Sequence, residues 1–291
     1  MHAHHHHDQT SSRIGWAFLL NVSFTIIEFI GGFLTNSTAI MADAVHDLGD
    51  SLSIGLAWLL SKTSHKQSNA NFTYGYQRFS LLGALINSFV LVAGSIWVLS
   101  EAIPKLQNPQ MPVVEGMLGL ALLGVVVNGF AAFKLSRGKT LNEKVLNWHL
   151  LEDVLGWCAV LIVSIVLLFV EWPILDPLLS IAFTAFILFN VIKNLGTTVR
   201  LFLQAAPEKT LSDDIQRTLN EIDDVQEMHH LHLWSLDGEH HVLTVHLVLK
   251  QAMDSTQLIT FKQDIALILK PFALSHTTVE IEFVDEPCRD A

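Results

Sequence analysis

The sequence predicts a membrane-embedded all-α bundle of six helices followed by a small soluble α+β domain. Its 291 residues are 51% hydrophobic and only 15% charged, with positive mean hydropathy. That balance fits a chain with a large part in lipid and a smaller soluble remainder. Six apolar segments, at about 14–34, 38–61, 79–103, 112–135, 146–170 and 174–199, are each long enough to cross a bilayer. After Pro207 the pattern turns mixed and charged, which cannot span lipid. The expected domains are a His-rich tail over 1–13, a transmembrane domain over 14–204 and a cytosolic domain over 205–291.

Positive charge orients the spans. The 62–78 connection carries Lys62, Lys66 and Arg78, and the 134–145 connection carries Lys134, Arg137, Lys139 and Lys144. The 34–37 and 171–173 connections carry no Lys or Arg, and 104–111 carries only Lys105. The positive-inside rule then places both termini in the cytoplasm. The first apolar run is long and lacks a small-residue cleavage pattern, so it reads as a span rather than a signal peptide.

Two motifs inside these spans carry the chemistry. His46-Asp47-Leu48-Gly49-Asp50 and His149-Leu150-Leu151-Glu152-Asp153 are both His-x-x-x-Asp. Residues four apart on a helix share a face, so each motif presents an imidazole and a carboxylate together. Side by side, His46, Asp50, His149 and Asp153 supply two nitrogens and two oxygens, a tetrahedral set suited to Zn²⁺. The two aspartates would balance a divalent charge at membrane depth. A single buried His or Asp is ordinarily a packed or capping residue. Ionisable groups are nevertheless expensive in lipid, and two identical spacings in separate spans point to an ion path.

Other polar residues in the spans read differently. Asn21, Asn87 and Asn128 suit interhelical hydrogen bonds. Glu28 fits either a proton path or packing, and Asp43 lies one turn before His46 on the same face. Asp47 and Glu152 project away from it. Gly31, Gly32, Gly83, Gly94 and Gly119 suit close helix approach. Five of the fifteen histidines lie in residues 1–7, a run too polar to fold alone that either collects metal loosely or is an expression tag. Cys158, in the fifth span, fits core packing; Cys288 is either a soft metal ligand or an inert terminal thiol.

The soluble region opens with a helix from Leu211 to about Asp223. Strands near 226–236 and 240–249 are joined through Asp237-Gly238, a strong hairpin signal. On the second strand Leu243, Val245, Leu247 and Leu249 share one face, and Val242, Thr244, His246 and Val248 the other. A helix from about Ser255 to Lys270 precedes a strand at 277–284. The order αββαβ predicts helices on one face of a small sheet. Residues 207–291 hold 16 Asp/Glu against 6 Lys/Arg, which argues against nucleic acid as a partner and favours cations. Seven histidines fall there: His229, His230, His232, His240, His241, His246 and His276. With Glu280 and Glu282 alternating on the last strand, this density suits a metal site, although His240 and His241 also fit a solvated turn.

These residues resemble the cation diffusion facilitator family of zinc transporters. The stretch Ser37-Thr38-Ala39-Ile40-Met41-Ala42-Asp43-Ala44-Val45-His46-Asp47-Leu48-Gly49-Asp50 is similar to that family's second-helix signature. Tyr74-Gly75-Tyr76-Gln77-Arg78 resembles the lead into its third helix, and His229-His230-Leu231-His232-Leu233-Trp234-Ser235-Leu236 its soluble-domain strand. The resemblance covers nearly the whole chain. It implies six spans, a ferredoxin-like, metallochaperone-like cytosolic domain, a homodimer in a bacterial inner membrane, and export of metal in exchange for protons. It also implies His46, Asp50, His149 and Asp153 as the transport site, and His229, His246, His276 and Glu282 as zinc-binding positions of the soluble domain. The His/Asp pairing resembles the zinc-selecting branch, with Cd²⁺ and Co²⁺ as further cargo and Zn²⁺ as a regulatory ligand. Two departures stand out: the loop between the fourth and fifth spans lacks histidine, and Trp157 stands where relatives have small residues. His65, in the 62–78 loop, reads as a solvated side chain or an accessory ligand.

The expected cycle follows from ligand chemistry. Metal needs neutral imidazoles and ionised carboxylates, so metal and protons compete for one site. Imidazole, with a reference pKa of about 6.5, is suited to exchange protons across that range. An intramembrane metalloprotease would need His-Glu-x-x-His, which is absent, so no enzyme is expected. A membrane-anchored metal sensor without transport is the alternative, but it leaves the paired intramembrane motifs without purpose.

Overall fold

The computed structural model describes residues 5–64, 68–135 and 141–289, with side chains omitted at 5–17, 20, 57, 58, 60–64, 134, 135 and 141–149. It has six long helices: α1 (His5–Thr35), α2 (Thr38–Ser64), α3 (Phe79–Gln107), α4 (Val114–Leu135), α5 (Leu141–Phe169) and α6 (Leu175–Phe202). Among the described residues, α3 and α6 in full, α4 over Val114–Phe133 and α5 over Leu150–Phe169 are long and apolar enough to cross a membrane. Within the part of α1 whose side chains are described, the apolar stretch is Asn21–Thr35. Among the described residues α2 offers no such stretch; Asp43, Asp47 and Asp50 lie within it. Large apolar side chains such as Phe89, Phe130, Phe186 and Phe189 point outward, as helices facing hydrocarbon require.

The chain divides into two compact units, Met1–Leu59 with Gly83–Leu195, and Leu60–Leu82 with Gly196–Ala291. Helix α1 begins at His5, inside the histidine run expected to be an unfolded tail. Propagating an existing helix costs far less than starting one, so polar residues can extend it. The run's side chains, like His65, lie outside the described residues.

Close packing in the first unit centres on Trp157 of α5. It is almost fully buried, beside Met117 and Ala121 of α4, and meets Phe24 of α1 edge to face at 5.9 Å. Gly124 of α4 makes the room: a Cβ there would overlap the rigid indole ring. The departure at Trp157 is thus matched by a glycine on the facing helix. Gly124→Ala should lower stability by about 1–3 kcal/mol through overpacking. Thermal unfolding of the detergent-solubilised protein would show this, with recovery in the Trp157→Leu background; an unchanged midpoint would refute the contact. Gly31, Gly32 and Gly94 also lie against neighbouring side chains, whereas Gly119 faces open space. Asn21 and Asn87 donate to Ser51 (3.0 Å) and Ser53 (2.7 Å) of α2, as expected of interhelical polar residues.

The second unit contains α7 (Lys209–Asn220), β1 (Val225–Ser235), β2 (His241–Leu249), α8 (Ser255–Leu269) and β3 (Leu274–Glu282), the αββαβ order expected. Strand β2 is central, antiparallel to β1 and parallel to β3. Leu243, Val245, Leu247 and Leu249 pack against Ile215 and Leu219 of α7 and Phe261, Ile265 and Leu269 of α8. The helices therefore cover one face and leave the histidine-bearing face free of them. Asp254 caps α8, accepting from the Thr256 and Gln257 amides, while Gln257 accepts from the Asp254 amide. The hairpin turns at Asp237-Gly238: Gly238 has φ of 105°, and the Asp237 carboxylate accepts from the Glu239 and His240 amides.

Strand β1 is not regular. Its register shifts between His229 and His232, with one extra residue relative to β2 and His230 at φ 48°. This bulge rephases the alternation. Met228 and Leu233 both turn to the core, opposite Leu247 and Leu243, while His229 and His232 both turn to the other face.

Candidate metal centre

Helices α2 and α5 bring His46, Asp50 and Asp153 together. His46 Nε2 lies 3.6 Å from Asp50 Oδ2 and 3.8 Å from Asp153 Oδ1. One ligand atom from each falls within 4.8 Å of the others. Bonds of about 2.0–2.1 Å in a tetrahedron set ligand edges of roughly 3.3–3.5 Å, so small shifts would close these three around one ion. His149 lies one turn before Asp153 on α5; its side chain lies outside the described residues. Phe183 of α6 meets the His46 ring edge to face at 6.0 Å and walls one side.

Further carboxyls surround the trio. Glu28 is fully buried, and Asp43 and Asp47 are nearly so. Glu28, Asp43, Asp47 and Asp153 are close enough to interact electrostatically, and Asp50 also acts on Asp43. Like charges this close repel, and a divalent cation relieves the repulsion. Asp47, read from the helix face as turned away, is thus within the field of the site, while Glu152 is exposed.

Asp176, at the start of α6, plays a part the sequence reading missed. Its Oδ1 accepts from Ser37 Oγ at 2.5 Å and the Ala39 amide at 3.3 Å; its Oδ2 accepts from the Thr38 amide at 2.7 Å and Thr38 Oγ1 at 2.8 Å. Ser180 Oγ donates to the Thr38 carbonyl at 2.9 Å. Asp176 therefore caps α2 from another helix, two turns before His46. The available signal was Ser37-Thr38, donors ahead of a helix whose acceptor is not local.

On the free face of the sheet, His229 stands opposite His246 in register. Glu282 reaches both: its Oε2 is 2.8 Å from His229 Nε2 and its Oε1 is 2.7 Å from His246 Nδ1. Burial would raise the Glu282 carboxyl's pKa, but hydrogen bonds from His229, His246 and Cys288 outweigh it and hold the carboxyl below the usual carboxylate range. An ionised carboxylate only accepts, so in these two contacts the ring nitrogens are the donors. Cys288 Sγ lies 3.5 Å from His246 Nδ1, and His229, His246, Glu282 and Cys288 form a second ligand group within 4.8 Å.

His276 is not brought to this group. It lies opposite Val242, with its ring edge-on to Tyr74 at 5.0 Å. His240 bonds Asp237 in the hairpin turn at 2.7 Å.

Comparison with known proteins agrees with this layout. Residues 16–203 match the cation efflux transmembrane domain, and 207–283 match the cytoplasmic domain of cation efflux proteins. The chain is 31% identical over 287 residues to a cadmium, cobalt and zinc/H(+)-K(+) antiporter of Bacillus subtilis, covering 96% of this chain and 91% of the relative. It is 30% identical to zinc transporter ZitB of Escherichia coli, covering 99% and 93% of the two chains. The metal cation efflux system protein CzcD of Cupriavidus metallidurans is 28% identical, with 100% and 92% covered. The membrane helices, the acid-lined His46 site and the matches along both parts of the chain make it a member of the cation diffusion facilitator (cation efflux) family: an integral membrane transporter of metal cations, not an enzyme.

Proposed function

We propose that the chain is a proton-coupled antiporter exporting Zn²⁺, with Cd²⁺ and Co²⁺ as further cargo, through a tetrahedral site of His46, Asp50, His149 and Asp153. The observation that carries this reading is the convergence of His46, Asp50 and Asp153 from two separate helices within coordination range. All six long helices cross the bilayer in this reading, with both termini in the cytoplasm of a bacterial inner membrane. The chain acts as a homodimer, and the region beyond the spans, 205–291, senses metal rather than carrying it.

In the inward-open state the site takes up zinc and gives up protons, because imidazole lone pairs and carboxylates cannot hold both. Rocking of the helices then exposes it to a more acidic exterior, where protonation expels the ion. The name of the Bacillus relative, which couples these metals to H⁺ and K⁺, supports proton exchange. Purified protein in liposomes should move zinc when a pH gradient is imposed and stop when the gradient is collapsed. Zinc binding without flux would favour the membrane-anchored sensor instead.

His46 sets ion preference in this reading. His46→Asp should weaken discrimination for zinc and raise tolerance of manganese, a harder ion that favours oxygen donors. Competitive uptake of zinc, cadmium and manganese measures it. An unchanged selectivity ratio would remove His46 from that role.

A further inference from the structure

Cys288 stands six residues beyond Glu282, which in extended chain would carry it about 20 Å away. Instead the segment after β3 folds back. The Glu286 amide donates to the Phe283 carbonyl at 2.9 Å, and the Phe283 amide donates to Glu286 Oε2 at 3.1 Å. Arg289 then pairs with Glu280 of β3 at 3.2 Å. This return sets Cys288 Sγ against the His246 ring beside the buried Glu282 carboxylate.

We propose that Cys288 is a thiolate ligand that completes, with His229, His246 and Glu282, a second metal centre within one protomer. The segment 283–289 serves as a strap that the ion fastens to the sheet. Two imidazoles, a carboxylate and a thiolate fill a tetrahedron, leaving no open position, as in centres that hold a metal rather than react with it. The carboxylate and thiolate together cancel a divalent charge. The sulfur fits the centre to zinc and cadmium and against manganese and magnesium, which prefer oxygen. Ligand contacts of 2.7–3.5 Å need shift by less than about 1 Å to surround an ion. The bulge at His230 supplies the other half of the arrangement, because it holds His229 on this face while returning β1 to the core. The centre stands independently of the intramembrane site.

The chain has two cysteines, so the thiolate can be assigned directly. Full-length protein in detergent, carrying Cys158→Ser, would be titrated with Co²⁺ and separately with Zn²⁺. A thiolate-to-cobalt charge-transfer band should rise and saturate at one ion per chain; histidine-only sites, including those of the amino-terminal run, give no such band. Added Zn²⁺ should bleach the band and slow alkylation of Cys288. Cys288→Ser should abolish the band and weaken zinc binding at the centre by at least the roughly tenfold that even an outer-shell change produces. Cys288→His should restore affinity without the band, and His276→Ala should change nothing. In protein shown to be folded by circular dichroism, absence of the band would overturn the proposal. So would a band that survives Cys288→Ser, or zinc affinity indifferent to position 288.

Discussion

Replacing Asp50 or Asp153 by alanine should bring zinc flux to background while the protein remains folded and membrane-inserted. Either change removes one negative charge from around a dication and leaves at most three ligands, so metal affinity should fall by well over tenfold, beyond the effect of an outer-shell change. Stability should not fall with it. Asp153 acts on Glu28 and Asp43, and Asp50 acts on Asp43, so either change takes away an acid that crowds another. Flux into proteoliposomes and thermal unfolding, measured on the same preparations, separate the two effects. Near-normal flux in both variants would dismiss these residues as the central site; lost flux with lost folding would make them structural.

Asp176→Ala should have the opposite signature, losing stability first and flux with it. Four buried donors, from Ser37, Thr38 and Ala39, would lose their acceptor at once. An unsatisfied buried donor costs about 1–3 kcal/mol, so even with relaxation a loss of roughly 3 kcal/mol or more is expected. Asp176→Asn, which keeps one acceptor oxygen, should fall between alanine and wild type. Thermal unfolding of the three proteins checks the order, with zinc flux as the second readout. Wild-type stability in the alanine variant would show that α2 does not depend on this cap.

The contrast between these residues shows what the sequence could reveal. His46, Asp50 and Asp153 were readable because the information is local: helical spacing puts donor atoms on one face, and lipid makes ionisable residues conspicuous. Leu243, Val245, Leu247 and Leu249 were readable for the same reason at period two, and Asp237-Gly238 because those residue types favour a tight turn. Asp176 was silent because its partners are 137–139 residues earlier in the chain. An acid at the start of a span looks the same whether it caps its own helix or another. The bulge at His230 was equally hidden, since alternation assumes one residue per pleat. The place of His276 among the zinc-binding positions came from resemblance alone, and in the fold that side chain meets Tyr74 while Cys288 arrives by a reversal of the chain.

The cap on α2 also bears on how the proposed transport site would move. At the Thr38 end the helix is tethered on several sides at once: by Asp176, by Ser180, and through the tight turn before it, where Val113 donates to the Thr35 carbonyl at 2.8 Å and Lys105 grips Asn36 at 2.7 Å. A rod pinned at one end cannot slide along its axis; it can only pivot. His46 and Asp50 sit about 12 and 18 Å from that fulcrum, at 1.5 Å per residue. A swing of about 10° would therefore carry them roughly 2–3 Å, ten times the 0.2 Å or so that a metal–ligand distance tolerates. In the proposed cycle, the pinned end would thus turn a modest tilt of one helix into an all-or-none choice between grasping the ion and letting it go.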